Sequence, residues 1–305
     1  MRNWDSAVRN LRDFCRKGGP DPHEYRELMD IFSIIMEEVR ETSGGETLLH
    51  ELWPTLGDAF WSTSTVQGLG VLKPRGYAGD FELIDRLYTR WVSPREDLTR
   101  WDRFLHSRSA VKAVRNRKAY FRKEMVALTA RAPGHKVRVA SIGCGSAREC
   151  AEAVKMSGIG HSTLSILCLD HDRAALRYAA RVNGSMGDAI KFRLCNVFRW
   201  RPDPEGYDFI WSAGLFDYLS DAQFTFLMNK LVRALRPGGR LVVGNFGPEN
   251  PTRDYMEFGE WVLHHRSSSQ LEALASGLLA AGEAESAVVN REPEGVNLFL
   301  HLQRA

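Results

Sequence analysis

Residues 137–149, V-R-V-A-S-I-G-C-G-S-A-R-E, constrain the fold of this chain more than any other stretch. Val137, Val139 and Ile142 read as a buried strand, Gly143 and Gly145 as the turn that follows, and Ala147 to Glu149 as the start of a helix. Such a passage seats a nucleotide-like cofactor: small residues let the backbone come close, and the helix N-terminus presents its free N–H groups. By itself the turn is unspecific, because Ala147 and Arg148 stand where the third glycine of G-x-G-x-x-G falls. The next predicted strand, L-S-I-L-C-L-D, ends in Asp170. That is slightly beyond the ~20-residue spacing expected of an acid that binds ribose.

From Val137 onward strands and helices alternate. Strands are predicted over 137–142, 164–169, 190–194, 207–212, 240–246, 283–290 and 295–303, and helices over 147–157, 172–182, 221–235 and 267–281. This alternation builds a doubly wound, largely parallel sheet. The last two strands are joined only by Glu292-Pro293-Glu294-Gly295, so they pair as an antiparallel hairpin. The expected fold is α/β: a Rossmann-like, seven-stranded sheet with a terminal antiparallel hairpin. Pro237-Gly238-Gly239 ends a helix and supplies a tight turn before the fifth strand.

The leading third reads as helical. An amphipathic helix runs to Arg16 and is stopped by Gly18-Gly19-Pro20; a second carries Leu28, Ile31, Phe32, Ile35 and Val39 at helical spacing; Leu48, Leu49, Leu52 and Leu56 suggest a third. Residues 68–80, G-L-G-V-L-K-P-R-G-Y-A-G-D, read as a loop, with Asp80 as N-cap of a helix over Phe81–Trp91. A long helix over 107–130 carries Val111, Val114, Phe121, Met125 and Leu128 on one face, and Pro133-Gly134 ends it. The predicted domains are a helical lid and substrate domain over 1–132 and a cofactor-binding domain over 133–305.

With 305 residues the chain is long enough to bury a full core, and a net charge of +3 is too small to argue for nucleic acid. Cys15, Cys144, Cys150, Cys168 and Cys195 are odd in number and form no C-x-x-C, which speaks against a zinc site or a disulfide framework and fits a reducing cytoplasm. Cys144 and Cys168 read as small core residues. Arg2, Asp5, Arg9, Arg12 and Asp13 leave no secretory apolar segment, and no apolar run approaches the ~18 residues of a membrane span. A cytoplasmic location with no membrane partner and no metal is the expectation; the oligomeric state is not readable, a homodimer being compatible.

The glycine turn, Asp170, the Pro-Gly-Gly turn and the closing hairpin, in this order, resemble the class I S-adenosylmethionine (SAM)-dependent methyltransferases. The resemblance implies SAM as cofactor. It implies that Gly143, Cys144 and Gly145 wrap the cofactor's amino acid end. Asp170, with His171 beside it, then takes the ribose hydroxyls, and Asn196 and Val197 flank the adenine. Ser212 and Ala213, in Y-D-F-I-W-S-A-G-L-F-D-Y-L after the fourth strand, stand where cofactor and acceptor meet. Two positions depart from the family pattern: Asn196 stands where many members have Asp, and Ser141 where an acid often contacts the cofactor ammonium. A dehydrogenase-type dinucleotide domain shares the glycine turn but not the whole set.

Further motifs, P-R-G-Y-A-G-D at 74–80 and G-N-F…N-P…R…Y-M-E…W-x-L-x-x-R over 244–266, resemble a bacterial methyltransferase group annotated for extracellular-factor synthesis, which makes 3-hydroxypalmitic acid methyl ester. That likeness spans roughly residues 65–305 and implies carboxyl O-methylation under a helical lid. The catalytic candidates are Tyr77, Asn245, His264 and Arg266; the acceptor-binding candidates are Arg75, Tyr77, Phe216, Tyr218, Tyr255 and Trp261. Glu257 joins the residues worth testing in this segment. Packing is an equal reading for Trp261, and a salt bridge or helix-dipole role for Arg266. Asp208 reads as structural. A small-molecule acceptor is expected, with a carboxylate preferred because it arrives deprotonated and needs no base. The alternative is an amine- or hydroxyl-bearing metabolite, with His264, His265 or Asp217 as base.

Two other classes compete. Twelve Lys/Arg against Asp102 and Glu124 between Arg100 and Arg138 make a basic stripe that an RNA-binding protein would use, although the same helix has a regular apolar face. The other class is a protein that binds SAM without turnover.

Overall fold

The computed structural model describes residues 2–131, 134–156 and 164–305. The predicted domain boundary at 132/133, the stop at Pro133 and the predicted helix end at 157 fall outside them. In chain order the elements are α1 (Arg2–Arg16), α2 (Tyr25–Glu41), α3 (Glu46–Leu52), α4 (Val66–Leu72), α5 (Phe81–Thr89), α6 (Glu96–Ser107) and α7 (Ser109–Ala130). They continue with β1 (Val137–Ile142), α8 (Arg148–Met156), β2 (Leu164–Asp170), α9 (Arg173–Asn183), β3 (Ile190–Leu194) and β4 (Tyr207–Ser212). The last are α10 (Asp221–Arg233), β5 (Leu235–Phe246), α11 (Arg253–Phe258), α12 (Ser268–Ala280), β6 (Ala284–Arg291) and β7 (Asn297–Arg304).

The chain divides into two compact units. Unit 1 holds Met1–Lys112 and Asn250–Val262, and unit 2 holds Ala113–Glu249 and Leu263–Ala305. This differs from a single cut at 132/133 in two respects. Most of α7 belongs to unit 2, because Phe121 and Met125 sit in a core with Val137, Val139, Ile166, Phe209 and Trp211 of the sheet. The segment after β5 leaves unit 2, contributes α11 to unit 1 and returns at Leu263.

Unit 2 is a seven-stranded sheet in the order β3-β2-β1-β4-β5-β7-β6. β1 to β5 run parallel, and β7 pairs antiparallel with both β5 and β6. The order steps outward from β1 in both directions, so the β1–β4 junction is the point at which ligands bind in such sheets. The strands read as near-continuous apolar runs because helices cover both faces. Leu227, Met228 and Leu231 of α10 and Leu271, Ala275 and Leu278 of α12 fill one core; Cys150, Ala151 and Ala153 of α8 and Ala179 of α9 help fill the other. Pro237-Gly238-Gly239 lies not between elements but inside β5, where the register jumps from Tyr207↔Leu235 to Phe209↔Arg240. The turn expected there is thus a bulge, with Gly238 at φ 73°.

Unit 1 is helical. Phe32 of α2 packs its ring 4.7–6.4 Å from those of Phe60, Phe104, Tyr255 and Phe258. Residues 68–72, read from sequence as the start of a loop, belong to α4: Thr65 caps the helix by accepting the Gly68 N–H, and Asp102 accepts the Val66 N–H at 2.7 Å. The same carboxylate accepts the Ser93 N–H at 2.7 Å. The helix escaped the glycine-based reading because caps from elsewhere in the fold offset the entropy cost of Gly68 and Gly70. Asp80 caps α5 through the Glu82 and Leu83 amides, at 2.8 and 3.0 Å.

Candidate functional site

The site of unit 2 lies where β1, β2 and β4 end. Gly143 adopts φ 64°, Gly145 φ 52° and Ala147 φ 50°, left-handed conformations that glycine accepts freely and alanine only with strain. Gly143 and Cys144 donate to the Leu169 carbonyl at 2.9 and 3.1 Å, which pins the turn to the end of β2. A Cβ on Gly143 would stand 3.4 Å from Leu215 Cβ, so the β1 turn and the segment after β4 lie side by side.

Asp170 is 8% exposed. One carboxylate oxygen accepts the Gly145 N–H at 2.9 Å and the other the Asp172 N–H at 3.0 Å. Each oxygen keeps a second acceptor position, which is what paired ribose hydroxyls require. The exposed His171 ring has Nδ1 3.5 Å from Asp170 Oδ1. After β3, exposed Asn196 accepts the Phe198 N–H at 2.9 Å and so starts the short helical turn that carries buried Val197. After β4, Ser212 donates to the Ile142 carbonyl at 3.1 Å, and the Ala213 carbonyl accepts from Arg117 Nη1 at 3.2 Å. These residues fit an adenosyl ligand. The cradle is backbone with glycine at its closest approach, and an anchored carboxylate stands one strand away.

A clasp holds the segment behind β4. Arg266 is 4% exposed and donates to Asn245 Oδ1 at 2.8 Å, to the Phe216 and Leu219 carbonyls, and to Asp221 at 2.9 Å. Asn245 in turn donates to the Phe246 and His264 carbonyls at 2.9 and 2.8 Å. Asp217 accepts the Phe246 N–H at 2.6 Å, and its carbonyl accepts the His264 N–H at 2.8 Å. Asn245, His264 and Arg266 are therefore brought together, along with buried Phe216. The side chains of Asn245 and Arg266 are spent on this clasp, and that of His264 is exposed. Tyr218 projects from the same segment and is 39% exposed.

Burial pushes the Asp217 carboxyl up to about 7, against the Phe246 amide and the charges of Arg117 and Arg266, which pull it down. An acid raised in the fold stabilises it fully below its unfolded value of about 3.9, and that contribution is lost as pH climbs through the folded value. Asp217→Asn keeps an acceptor for Phe246. It is expected to melt above the parent at pH 8, with the difference closing by pH 4. A difference that stays constant across that range in paired melting curves overturns this account.

Arg75, Tyr77, Tyr255 and Trp261 belong to unit 1. Arg75 is exposed, with its guanidinium 3.3 Å from Glu82 and 5.1 Å from the Phe81 ring centroid. Tyr77 is half-buried in the loop between α4 and α5. Tyr255 and Trp261 help line a cavity of about 60 Å³ with Phe60, Val71, Leu83 and Met256. Its polar members are hydrogen-bonded: the Tyr255 hydroxyl donates to Gln67 Oε1, Gln67 Nε2 donates to the Ala59 carbonyl at 2.8 Å, and Thr252 Oγ1 accepts the Ala110 N–H at 3.2 Å. Glu257 is paired with Arg40 and Arg253 at 2.6 Å each. Sequence reasoning missed Gln67, Asp102, Arg117 and Glu149; no spacing rule marks a polar residue that tertiary packing buries.

Four cations of the basic stripe are ion-paired within their own unit. Lys118 and Arg122 pair with Glu152 at 2.6 and 3.2 Å, Arg138 with Asp203 at 2.8 Å, and Arg100 with Asp21 at 3.1 Å. Asp208 accepts the Arg138 amide at 2.7 Å and Arg236 at 3.0 Å, a structural role. Among the described residues no group of three His, Cys, Asp or Glu is arranged to hold a metal ion, and no helix is long and apolar enough to cross a membrane.

Residues 139–239, a third of the chain, match the model of a methyltransferase domain family. No curated protein matches the sequence. Among solved structures, a possible exported protein from Bordetella parapertussis is 20% identical, with a TM-score of 0.60 over 99% of this chain and 96% of its own. The CMeT domain of the citrinin polyketide synthase is 15% identical, with a TM-score of 0.52 over 86% of this chain and 69% of its own. The N-methyltransferase NodS from Bradyrhizobium japonicum WM9, in complex with S-adenosyl-L-homocysteine, is 16% identical, with a TM-score of 0.46 over 73% of this chain and 97% of its own. At such identities the first two speak for the shared fold.

Proposed function

We propose that this chain, an enzyme that uses S-adenosylmethionine, transfers the methyl group to a carboxylate oxygen of a small amphipathic acid. The observation that carries this reading is the cavity of unit 1. Its lining is apolar apart from a few groups already hydrogen-bonded, so it rewards a hydrocarbon group over an ionic one. At about 60 Å³ it takes on the order of four water-sized groups without side-chain movement, which suits a short tail or one end of a longer one.

When bound, S-adenosylmethionine supplies a methyl group already activated by the sulfonium charge. The protein's task is then to align the acceptor in line and to exclude water. A carboxylate takes the methyl with no proton to remove. That agrees with His264 being solvent-exposed and Asp217 being bound to the Phe246 amide rather than set beside an open reactive position. In this reading Gly143, Cys144, Gly145, Asp170, His171, Asn196, Val197, Ser212 and Ala213 receive the cofactor. Tyr255 and Trp261 line the cavity of unit 1 that suits an apolar group, and Arg75 and Tyr77 are further acceptor-binding candidates of that unit. Asn245 and Arg266 position the segment that carries Phe216 and Tyr218. The free thiols and the domain's cofactor suit a cytoplasmic location.

The test is a transfer assay with methyl-labelled cofactor across straight-chain and 3-hydroxy carboxylic acids, amines, hydroxyl compounds and RNA. Label is expected in the acids, released as methanol by mild alkali because a methyl ester is base-labile. Alkali-stable label on amines or RNA, with none on acids, overturns the carboxylate reading.

A further inference from the structure

Arg108, the link between α6 and α7 in unit 1, is a half-buried cation without an anion. Its guanidinium donates to Ser107 Oγ at 2.7 and 3.1 Å and to the Phe104 carbonyl at 3.3 Å. It lies 4.5 Å from the Phe104 ring centroid and 5.1 Å from that of Tyr25. Among the described residues it has no carboxylate partner. Burial pulls this guanidinium below its usual value, and the groups that act against burial are Tyr255 and Tyr25 rather than an acid. Two aromatic rings offset only part of what it costs to take a cation out of water.

Arg108 lines an open groove of about 520 Å³ together with Tyr25, Arg26, Met29, Ser109 and Pro251. Positive charge and O–H donors dominate it. Exposed Arg26 has no ion-pair partner among the described residues, and the Tyr25 hydroxyl has no hydrogen-bond partner there. Exposed Arg103 acts on Tyr25 alongside Arg108. Ser109 opens α7, whose amide end adds charge of the same sign. No carboxylate of the described residues lines the groove. Asp21 and Glu24, on either side of Pro22 and His23, are bound to Arg100 at 3.1 Å and to Lys17.

Such a groove is the complement of an oxyanion carrying more than one charge. Guanidinium groups bind phosphoryl oxygens in pairs. The donors of Tyr25 and Arg26 on one segment and of Arg108 and Ser109 on another suit a tetrahedral group better than a planar carboxylate. Met29 and Pro251 add an apolar wall for a short carbon stem. We propose that this groove binds the phosphoryl group of a phosphate monoester, with Arg108 and Arg26 as its cations. The site belongs to unit 1 alone and does not depend on the methyl-transfer reading.

The test is titration calorimetry at constant ionic strength with n-butyl phosphate, inorganic phosphate and butyrate. The parent is expected to bind both phosphates, the ester about threefold more tightly, and to bind butyrate about tenfold more weakly than the ester. Arg108→Gln is expected to lose about tenfold in affinity for the ester, and Arg26→Ala about threefold. Arg26 is exposed, so its replacement leaves the fold intact and keeps the test decisive should Arg108→Gln not fold. A parent that binds neither phosphate, butyrate bound as tightly as the ester, or an ester affinity unchanged in Arg26→Ala overturns the proposal. Inorganic phosphate bound as tightly as the ester, or more tightly, overturns the monoester and gives the groove to the free ion.

Discussion

Asp170→Ala will weaken S-adenosylmethionine binding by about 1–3 kcal/mol, the loss expected when charge-assisted hydrogen bonds to two hydroxyls disappear. This corresponds to roughly 5- to 150-fold in the dissociation constant. A second contribution has the same sign. The carboxylate also holds the Gly145 and Asp172 amides, so its removal frees the turn that the cofactor needs pre-formed. Asp170→Asn separates the two effects. An amide oxygen still serves one backbone N–H, but the amide nitrogen opposes the other, so the binding loss persists while the fold is largely kept. Calorimetry on both variants decides; affinity equal to the parent's in the alanine variant removes Asp170 from the cofactor site.

Arg266→Met will destabilise unit 2 by about 3–5 kcal/mol, because removing one side of a buried polar network leaves the other side unpaired. The stranded groups are Asn245 Oδ1 and the Phe216 and Leu219 carbonyls. For a unit of this size the melting temperature is expected to fall by roughly 6–20 °C. Arg266→Lys keeps the charge but not the planar fork, and is expected to recover little of the loss. The competing expectation, that Arg266 acts on the acceptor, makes the opposite forecast. Turnover would then drop in a protein that melts like the parent, and that outcome would return Arg266 to the reacting groups.

The elements of unit 2 were legible in the sequence because local chemistry dictates them. Alternating and continuous apolar runs make β1 to β4, glycine makes the cofactor turn, and a four-residue link forces the last two strands into a hairpin. The strand–helix alternation even implied the doubly wound order, since crossover connections leave few ways to pack. Asp170 was readable for the same reason: it ends a strand, and the strand's end fixes where its side chain goes. Unit 1 was less legible. The α4 segment looks like loop by composition, and α6 passed unmarked, because Asp102 and the aromatic packing around Phe32 act across long stretches of chain.

The division of roles at the candidate site belongs to tertiary structure. Sequence spacing selected Asn245, His264 and Arg266 as polar residues near one sheet edge, and the fold does gather them. It also turns Arg266 inward onto Asn245 and two carbonyls, a direction that no periodicity encodes. In the same way the transfer of 250–262 to unit 1 and the bare, buried oxygen of Glu149 follow from packing between segments distant in sequence. The amino-acid sequence alone determined which elements form in unit 2 and where a cofactor turn lies, because backbone propensity and apolar periodicity are local. Which polar groups brace the fold and which remain to meet a ligand was decided only in three dimensions, because burial and hydrogen-bond partnership depend on what the rest of the chain brings alongside.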